Sequence, residues 1–517
     1  MHASFSTRQI LSAALLAAVA PRLAAAASNR QPDFNNDGYC DLVMAAPGEK
    51  IGTLKGAGAV NIVYGTADGL KSDNSQGFSQ GSGGIGETAG ANDHFGIQTA
   101  WGDFNNDGYS DLAVSATGED SGAGSVNVIY GSASGLASAN NQVFKQGVDG
   151  MQGLRTGSEY FGWALATGDF NGDGYDDLAV GASDEDVSGV QYAGAVHVIY
   201  GSGSGLTAAG NEMWSQNTLG LQGEAEYIDY FGSALAAGDF NGDGKDDLAV
   251  GTPWENGNGK FNCGAVNVIM GSASGLTSAG NQFWHQDSTG IANSINGYEY
   301  FGYALAAGDF DNDGKDDLAI GVDSETIDGK NNAGAMHVLY GGNNGLRATG
   351  SQFWTQNSSG VADACEANDR FGSTLGTGDF NGDGFMDLAV GAMDEAIDTK
   401  NGAGCVHILY GSANKLASAG SQVWSQDTAG IAGAAAGGDS FGSLLIGADF
   451  DGDGKDDLAI GVPYEKVGAA ENAGAINVIY GTGAKGLKSA GNQLWSQDSS
   501  GVGDKADKND NLGHGAY

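Results

Sequence analysis

The sequence predicts an all-β fold: a seven-bladed β-propeller with four-stranded blades, its ring closed by the carboxyl-terminal segment. Three observations carry that expectation. A nine-residue frame, D-x-[N/D]-x-D-G-x-x-D, starts at Asp33, Asp103, Asp169, Asp239, Asp309, Asp379 and Asp449, at intervals of 70 or 66 residues. Spacing this regular marks repeated supersecondary units rather than unrelated loops. Each period also holds four short runs rich in β-branched residues, separated by glycine-rich turns. Finally, Gly supplies 91 of 517 residues and Pro only 5, without a Gly-X-Y period, as many tight turns between short strands require.

Taken in chain order, the amino end reads as an address. A polar start with Arg8 precedes the apolar run Ile10 to Ala20, and the small residues Ala24 to Ala27 offer a cleavage site before Ser28. Residues 1–27 are therefore expected to be a signal peptide and 28–517 the propeller, of a protein secreted to the extracellular space or periplasm. The apolar run is too short to cross a bilayer, and no later stretch reaches 18 apolar residues, so no transmembrane segment is expected.

The fourth unit serves as the type. Phe231 to Gly238 is a small-residue strand entering the frame, and Asp247 to Gly251 is a second strand leaving it. Gly264 to Gly271 is a third and Asn281 to Gln286 a fourth. Strands two and three are apolar on both faces, as blades sandwiched between neighbours require. No stretch of the mature chain keeps a helical period with caps.

The repeat boundary predicts how the ring closes. Phe-Gly recurs eight residues before the frame at Phe95, Phe161, Phe231, Phe301, Phe371 and Phe441, but not before Asp33. A degenerate copy, Leu512-Gly513, stands at the carboxyl end instead. The last residues are thus expected to supply the inner strand of the first blade, with no residue range left for a second domain.

Charge and cysteines exclude several function classes. The formal charge is −41, which lacks the basic footprint that nucleic acid or an anionic membrane requires. Cys40, Cys263, Cys365 and Cys405 fall at four different places in the repeat, and no Cys-x-x-Cys is present. They form no framework; one opportunistic disulfide at most is expected, and redox chemistry is not.

The frames are the chemical signal. Alternate oxygen donors in a tight loop with a glycine at position 6 suit a hard dication that takes six to eight oxygens. The side chains at positions 1, 3, 5 and 9, with the position-7 carbonyl, are the expected ligands of up to seven Ca²⁺ ions. They are Asp33, Asn35, Asp37, Tyr39 and Asp41; Asp103, Asn105, Asp107, Tyr109 and Asp111; and Asp169, Asn171, Asp173, Tyr175 and Asp177. The fourth and fifth loops give Asp239, Asn241, Asp243, Lys245 and Asp247, then Asp309, Asp311, Asp313, Lys315 and Asp317. The last two give Asp379, Asn381, Asp383, Phe385 and Asp387, then Asp449, Asp451, Asp453, Lys455 and Asp457. Tyr39, Tyr109, Tyr175, Lys245, Lys315, Phe385 and Lys455 enter through their backbone carbonyls. Position 12 is apolar (Val180, Val250, Ile320) where an EF-hand needs glutamate, so the EF-hand is rejected. The loops hold 27 of the 63 acidic residues, a density that is costly without a cation.

The Phe-Gly opening, the calcium-type loop, D-L-A-V-G with Ala45-Ala46-Pro47 or Gly251-Thr252-Pro253, and G-A-V-x-V-I-Y-G together resemble FG-GAP repeats. Those repeats form the seven-bladed propeller of integrin α subunits and of many bacterial secreted proteins. The resemblance covers about residues 33 to 517. In integrins only some blades carry the loop, whereas all seven do here, and this chain shows neither leg domains nor a membrane span. The resemblance implies calcium loops on the face of the turns between strands one and two. It also implies that ligands meet the opposite face.

That opposite face has its own pattern. A glutamate lies 16 residues after each loop start, at Glu49, Glu119, Glu185, Glu255, Glu325, Glu395 and Glu465. An acid also lies two residues before each Phe-Gly-like pair, at Asp93, Glu159, Asp229, Glu299, Asp369, Asp439 and Asp510. Either they cap turn N–H groups or they form an acidic ring for cations or a basic ligand. Trp214, Trp284, Trp354, Trp424 and Trp495, with Phe78 and Phe144, share one place in the fourth strand, which is read as an anchor between blades. Asn61, Asn127, His197, Asn267, His337, His407 and Asn477 share a third-strand place, read as a structural hydrogen-bonding position.

The expected function is a secreted calcium-binding propeller acting as a binding or adhesion module for an extracellular protein or glycan, not an enzyme. Variable turns on a fixed scaffold are where recognition resides. The alternative is an extracellular hydrolase or lectin acting on glycans. G-x-S-x-G occurs at Gly77 to Gly81 and Gly438 to Gly442, but neither precedes the helical pattern that a nucleophile elbow needs.

Overall fold

The computed structural model describes residues 31–82 and 84–514; the signal-peptide expectation for 1–27 lies outside them. Seven antiparallel sheets follow one another along the chain, one per repeat. In blade 4, Ala234–Gly238 pairs with Asp247–Thr252, then Ala265–Met270, then Thr277–Trp284. The second and third strands are buried on both faces in nearly every blade. Among the described residues the only helices are single turns, Glu119–Gly122 and Gly483–Lys485.

Seven apolar clusters close the ring, each joining two neighbouring blades. Val196, Val198 and Trp214 of blade 3 pack on Leu248, Val250 and Ile269 of blade 4. The closing cluster sets Ile476, Val478 and Trp495 of blade 7 against Leu42, Met44 and Val63 of blade 1. Inner strands line an axial cavity of about 400 Å³ whose wall includes Leu165, Leu235, Leu305, Leu375 and Leu445.

Blade 1 has three strands of its own, Leu42–Ala46, Ala59–Tyr64 and Lys71–Phe78, and borrows its innermost place. The Leu512 N–H donates to Ala473 O at 3.0 Å, as Phe231 does to Ala193 and Phe441 to Ala403. Leu512 is fully buried, and the Gly513 N–H donates to Ala45 O. The lower end of the same place is filled from the amino side, where the Asp41 N–H donates to Pro32 O. The seam is therefore shared by both ends of the chain, not by the carboxyl end alone.

Two strand boundaries differ from the sequence reading. The outer strand of blade 4 spans Thr277–Trp284 rather than 281–286, with a register shift between Val268 and Met270. Its first half, Thr-Ser-Ala-Gly, is a solvent-facing edge and carries no apolar signal. The inner strand begins regular pairing at Ala234 rather than Phe231. Phe-Gly also bridges to the preceding blade, as in the parallel bridges Gly124 to Phe161 and Gly264 to Phe301.

Candidate functional site

The seven frames form the turns between inner and second strands, so all stand at one end of the blades. Each folds around its first aspartate. The position-5 N–H donates to one oxygen of that side chain at 3.0–3.1 Å and the position-6 glycine N–H to the other at 2.8–2.9 Å. The position-7 N–H then donates to the position-5 carboxylate, as Tyr39 does to Asp37 and Phe385 to Asp383. Oxygen of Asn35, Asn105, Asn171 and Asp451 at position 3 also accepts from position 5. The loop thus winds its N–H groups and carboxylates around one centre.

Position 9 ties the loop to its blade. Asp41, Asp111, Asp177, Asp247, Asp317, Asp387 and Asp457 each accept from a glycine N–H at the end of the third strand, at 2.8–3.1 Å. All seven are buried, and burial pushes each carboxyl up to about 8. Carboxylates in such places need a cation to stay ionised. In two loops three acids gather oxygens within 4.8 Å: Asp309, Asp311 and Asp317, and Asp449, Asp451 and Asp453. Lys245, Lys315 and Lys455 reach the neighbouring position-5 carboxylate at 3.0–3.5 Å and offset part of that charge. Donor type, spacing and charge density in these loops fit a hard, oxygen-seeking dication.

The loops are also stitched to one another. The position-8 N–H donates to the position-1 carbonyl of the preceding blade: Ser110 to Asp33, Asp176 to Asp103, Asp246 to Asp169, Asp316 to Asp239, Met386 to Asp309 and Asp456 to Asp379. Cys40 to Asp449 completes the circle at 3.0 Å. No disulfide contributes, since all four cysteines are free and buried.

At the other end of the blades, the two acid columns have structural partners. Gln80, Gln146, Gln216, Gln286, Gln356, Gln426 and Gln497 each donate Nε2 to the glutamate of the next blade, Glu119 through Glu465 and finally Glu49, at 2.5–2.9 Å. The second column caps turns, as Glu299 accepts from the Asn296 N–H and Glu159 from the Thr156 and Gly157 N–H groups. The capping reading holds for this column; the glutamates clamp blade to blade through side-chain amides. The fourth-strand aromatics sit in the blade-to-blade clusters, with Trp214 and Trp424 buried. In the His/Asn column, Asn267 and Asn477 donate to Gln222 O and Ala432 O, while His197, His337 and His407 pack on the Phe of Phe-Gly. Neither G-x-S-x-G match precedes a helix.

One surface escaped the sequence reading. Tyr192, Tyr227, Tyr230, Trp254, Tyr300 and Tyr303 form a chain of ring contacts at 5.0–6.5 Å across blades 3 to 5, on the face opposite the loops. Tyr227 is 61% exposed and nearby Tyr298 57%. Tyr230 and Tyr300 precede Phe-Gly, a place where every blade holds a non-glycine residue at positive φ: His94, Tyr160, Tyr230, Tyr300, Arg370, Ser440 and Asn511. The backbone there is fixed and strained while the side chain varies, as at recognition surfaces. The available signal was the triplet Tyr-Phe-Gly, confined to three consecutive blades.

Comparison with known proteins agrees with this architecture. The FG-GAP repeat family matches at residues 32–63, 95–129, 161–199, 231–262, 301–339, 371–409 and 441–479. Integrin alpha-PS2 of Drosophila melanogaster is 32% identical over 262 residues, which are 50% of this chain and 16% of the integrin. Phosphatidylinositol-glycan-specific phospholipase D of Rattus norvegicus is 31% identical over 185 residues, 35% of this chain and 21% of that protein. The chain thus matches only a small part of these relatives' length. The solved rhamnogalacturonan lyase YesW overlaps 82% of this chain and 80% of its own at 11% identity, but its TM-score of 0.35 supports no argument. Seven matched repeats, seven blades and seven equivalent loops make this chain an FG-GAP repeat protein with the propeller architecture of integrin α subunits.

Proposed function

We propose that the protein is a secreted binding module, a propeller stiffened by Ca²⁺ on one face and presenting a glycan or protein ligand site on the other. The observation that carries the ligand site is the aromatic belt from Tyr192 to Tyr303. Aromatic faces held in fixed positions offer large, rigid, amphipathic contact area, suited to the apolar faces of sugar rings and to partner side chains. Calcium ligation by the 35 loop residues named above rests on donor type, spacing and the charge gathered in each loop. Extracellular placement rests on the amino-terminal pattern and on what the integrin and phospholipase relatives are.

The test is ligand capture by calcium-loaded protein on a glycan array and from extracellular matrix extracts, each repeated with Trp254→Ala. Trp254 joins Tyr230 to Tyr300 and is only half-buried, so its truncation removes the centre of the belt without emptying a core. Loss of a central aromatic anchor is expected to weaken binding by about 2 kcal/mol or more, roughly thirtyfold. Equal capture by the variant would overturn the belt as the binding surface. Turnover of a captured polymer would move the protein to the glycan hydrolases.

A further inference from the structure

At the junction where a blade's third strand meets the incoming connection, blade 6 combines residues found together in no other blade. Cys405 opens its third strand where Ala59, Ala195, Ala265, Ala335 and Ala475 stand in five others. His407, two residues on, faces the same side of that strand. Their Sγ and Nε2 atoms are 3.4 Å apart, and both residues are at least 99% buried. Asp363 arrives from the connection with blade 5, at φ 84, a left-handed conformation that disfavours aspartate. Glycines 153, 223 and 433 take the same place in three other connections.

The direction of the Asp363 side chain follows from those glycines. A Cβ built on Gly153 would meet Gln146 Nε2 at 3.0 Å and His197 Cε1 at 3.2 Å, so this place faces the clamping glutamine and the third-strand histidine of the next blade. Asp363, Cys405 and His407 accordingly bring a carboxylate oxygen, a sulfur and an imidazole nitrogen within 4.8 Å of one another. Acids stand at the same place as Glu87 and Asp504, but there the third strand of the next blade offers Ser125 with Asn127, or Ala59 with Asn61. The buried His407 ring keeps one nitrogen, Nδ1, without a partner among the described residues.

We propose that Asp363, Cys405 and His407 bind a first-row transition-metal dication of the zinc class, distinct from the calcium loops at the other end of the blades. Thiolate, imidazole and carboxylate are the donors that Zn²⁺ takes, and they disfavour Ca²⁺, which takes oxygen alone. Zn–S and Zn–N bonds of about 2.3 and 2.0 Å meeting at a tetrahedral angle put the two ligand atoms about 3.5 Å apart, close to the separation present here. Asp363 also gathers with Glu366 and Glu395 within 4.8 Å, so a carboxylate or water completes four ligands on the side toward solvent. Binding displaces the Cys405 thiol proton to water, and affinity therefore falls as pH falls.

Co²⁺ is the probe, added to the full chain in saturating Ca²⁺ so that the oxygen-only loops are filled. One equivalent is expected to bind with thiolate-to-cobalt charge-transfer absorption and to be displaced by Zn²⁺. Cys405→Ala, the residue of five other blades, abolishes the band. Asp363→Gly, which relieves the backbone, weakens Co²⁺ binding at least about tenfold without lowering the melting temperature. Both variants restore residues the repeat already uses, so folding is retained. The absence of the band in the unaltered protein overturns the proposal and leaves a thiol–imidazole hydrogen bond. The same stoichiometry and affinity in Cys405→Ala overturn it equally.

Discussion

Glu255 joins blade 4 to blade 3 by accepting from Gln216 Nε2, yet its carboxyl is pushed up to about 8, first by burial and then by the charge of Asp229. Glu49, Glu185 and Glu325 sit alike and are pushed up to about 7. Meanwhile the Oε1 of all seven clamping glutamines has no partner. A protonated glutamic acid would supply the missing donor. The sign follows from linkage: between the usual carboxylate range and about 8 the folded protein holds more protons than the unfolded chain, so stability falls as pH rises through that window. At constant saturating Ca²⁺ the melting temperature is expected to be higher at pH 6 than at pH 8. Glu255→Gln keeps an acceptor for Gln216 and removes the charge, so it is expected to raise the melting temperature at pH 8 and flatten the profile. A variant less stable at pH 8 with an unchanged slope would refute the account.

At the scale of the strand, the glycine just before each third strand decides whether blades dock. Gly58, Gly124, Gly194, Gly264, Gly334, Gly404 and Gly474 all have φ between 79 and 86°. A Cβ on Gly264 would strike the Phe301 backbone, the point where blade 5 bridges back to blade 4. Gly264→Ala is therefore expected to cost at least about 1–3 kcal/mol, read as a lower midpoint in chemical denaturation, with the Phe301 amide losing exchange protection. Unchanged stability would mean that the bridge is dispensable. The second and third strands were legible in the sequence because burial on both faces writes itself as apolar runs between glycines. The first half of the outer strand was not, because Thr277 to Gly280 face water and only backbone pairing makes them a strand. The tyrosine belt escaped for a related reason. Its residues do not repeat around the ring, so the period carries no mark of them. The gathering of Asp363, Cys405 and His407 was not legible either, because a recurrent histidine, an acid of the variable connection and the one cysteine at its place meet only in the fold.

For the whole molecule, the loops and the ring are one system. The period and the displaced Leu512-Gly513 copy already implied seven blades and a closing seam. That Pro32 would complete the seam from the other end was not legible, because it contributes a carbonyl rather than a recognisable motif. The circle of position-8 to position-1 hydrogen bonds means that loosening any one loop disturbs the loops on either side of it. Calcium bound at these loops is thus expected to stabilise the propeller as a unit. Each loop filled at a free Ca²⁺ concentration of about a hundred times Kd contributes about 2.7 kcal/mol, provided the unfolded chain does not bind. Calorimetry in a graded series of free Ca²⁺ is the measurement. The melting temperature should climb with the logarithm of free Ca²⁺ in a single transition, at a slope corresponding to several ions released together on unfolding. Asp247→Asn should reduce that slope by about one ion, because it removes one charged ligand while leaving an oxygen for the Gly271 N–H. A melting temperature indifferent to chelator would sink the calcium reading. Separate transitions for individual blades would instead break the link between the loops and the ring, because a closed ring that shares seven interfaces has no free end from which one blade can melt alone.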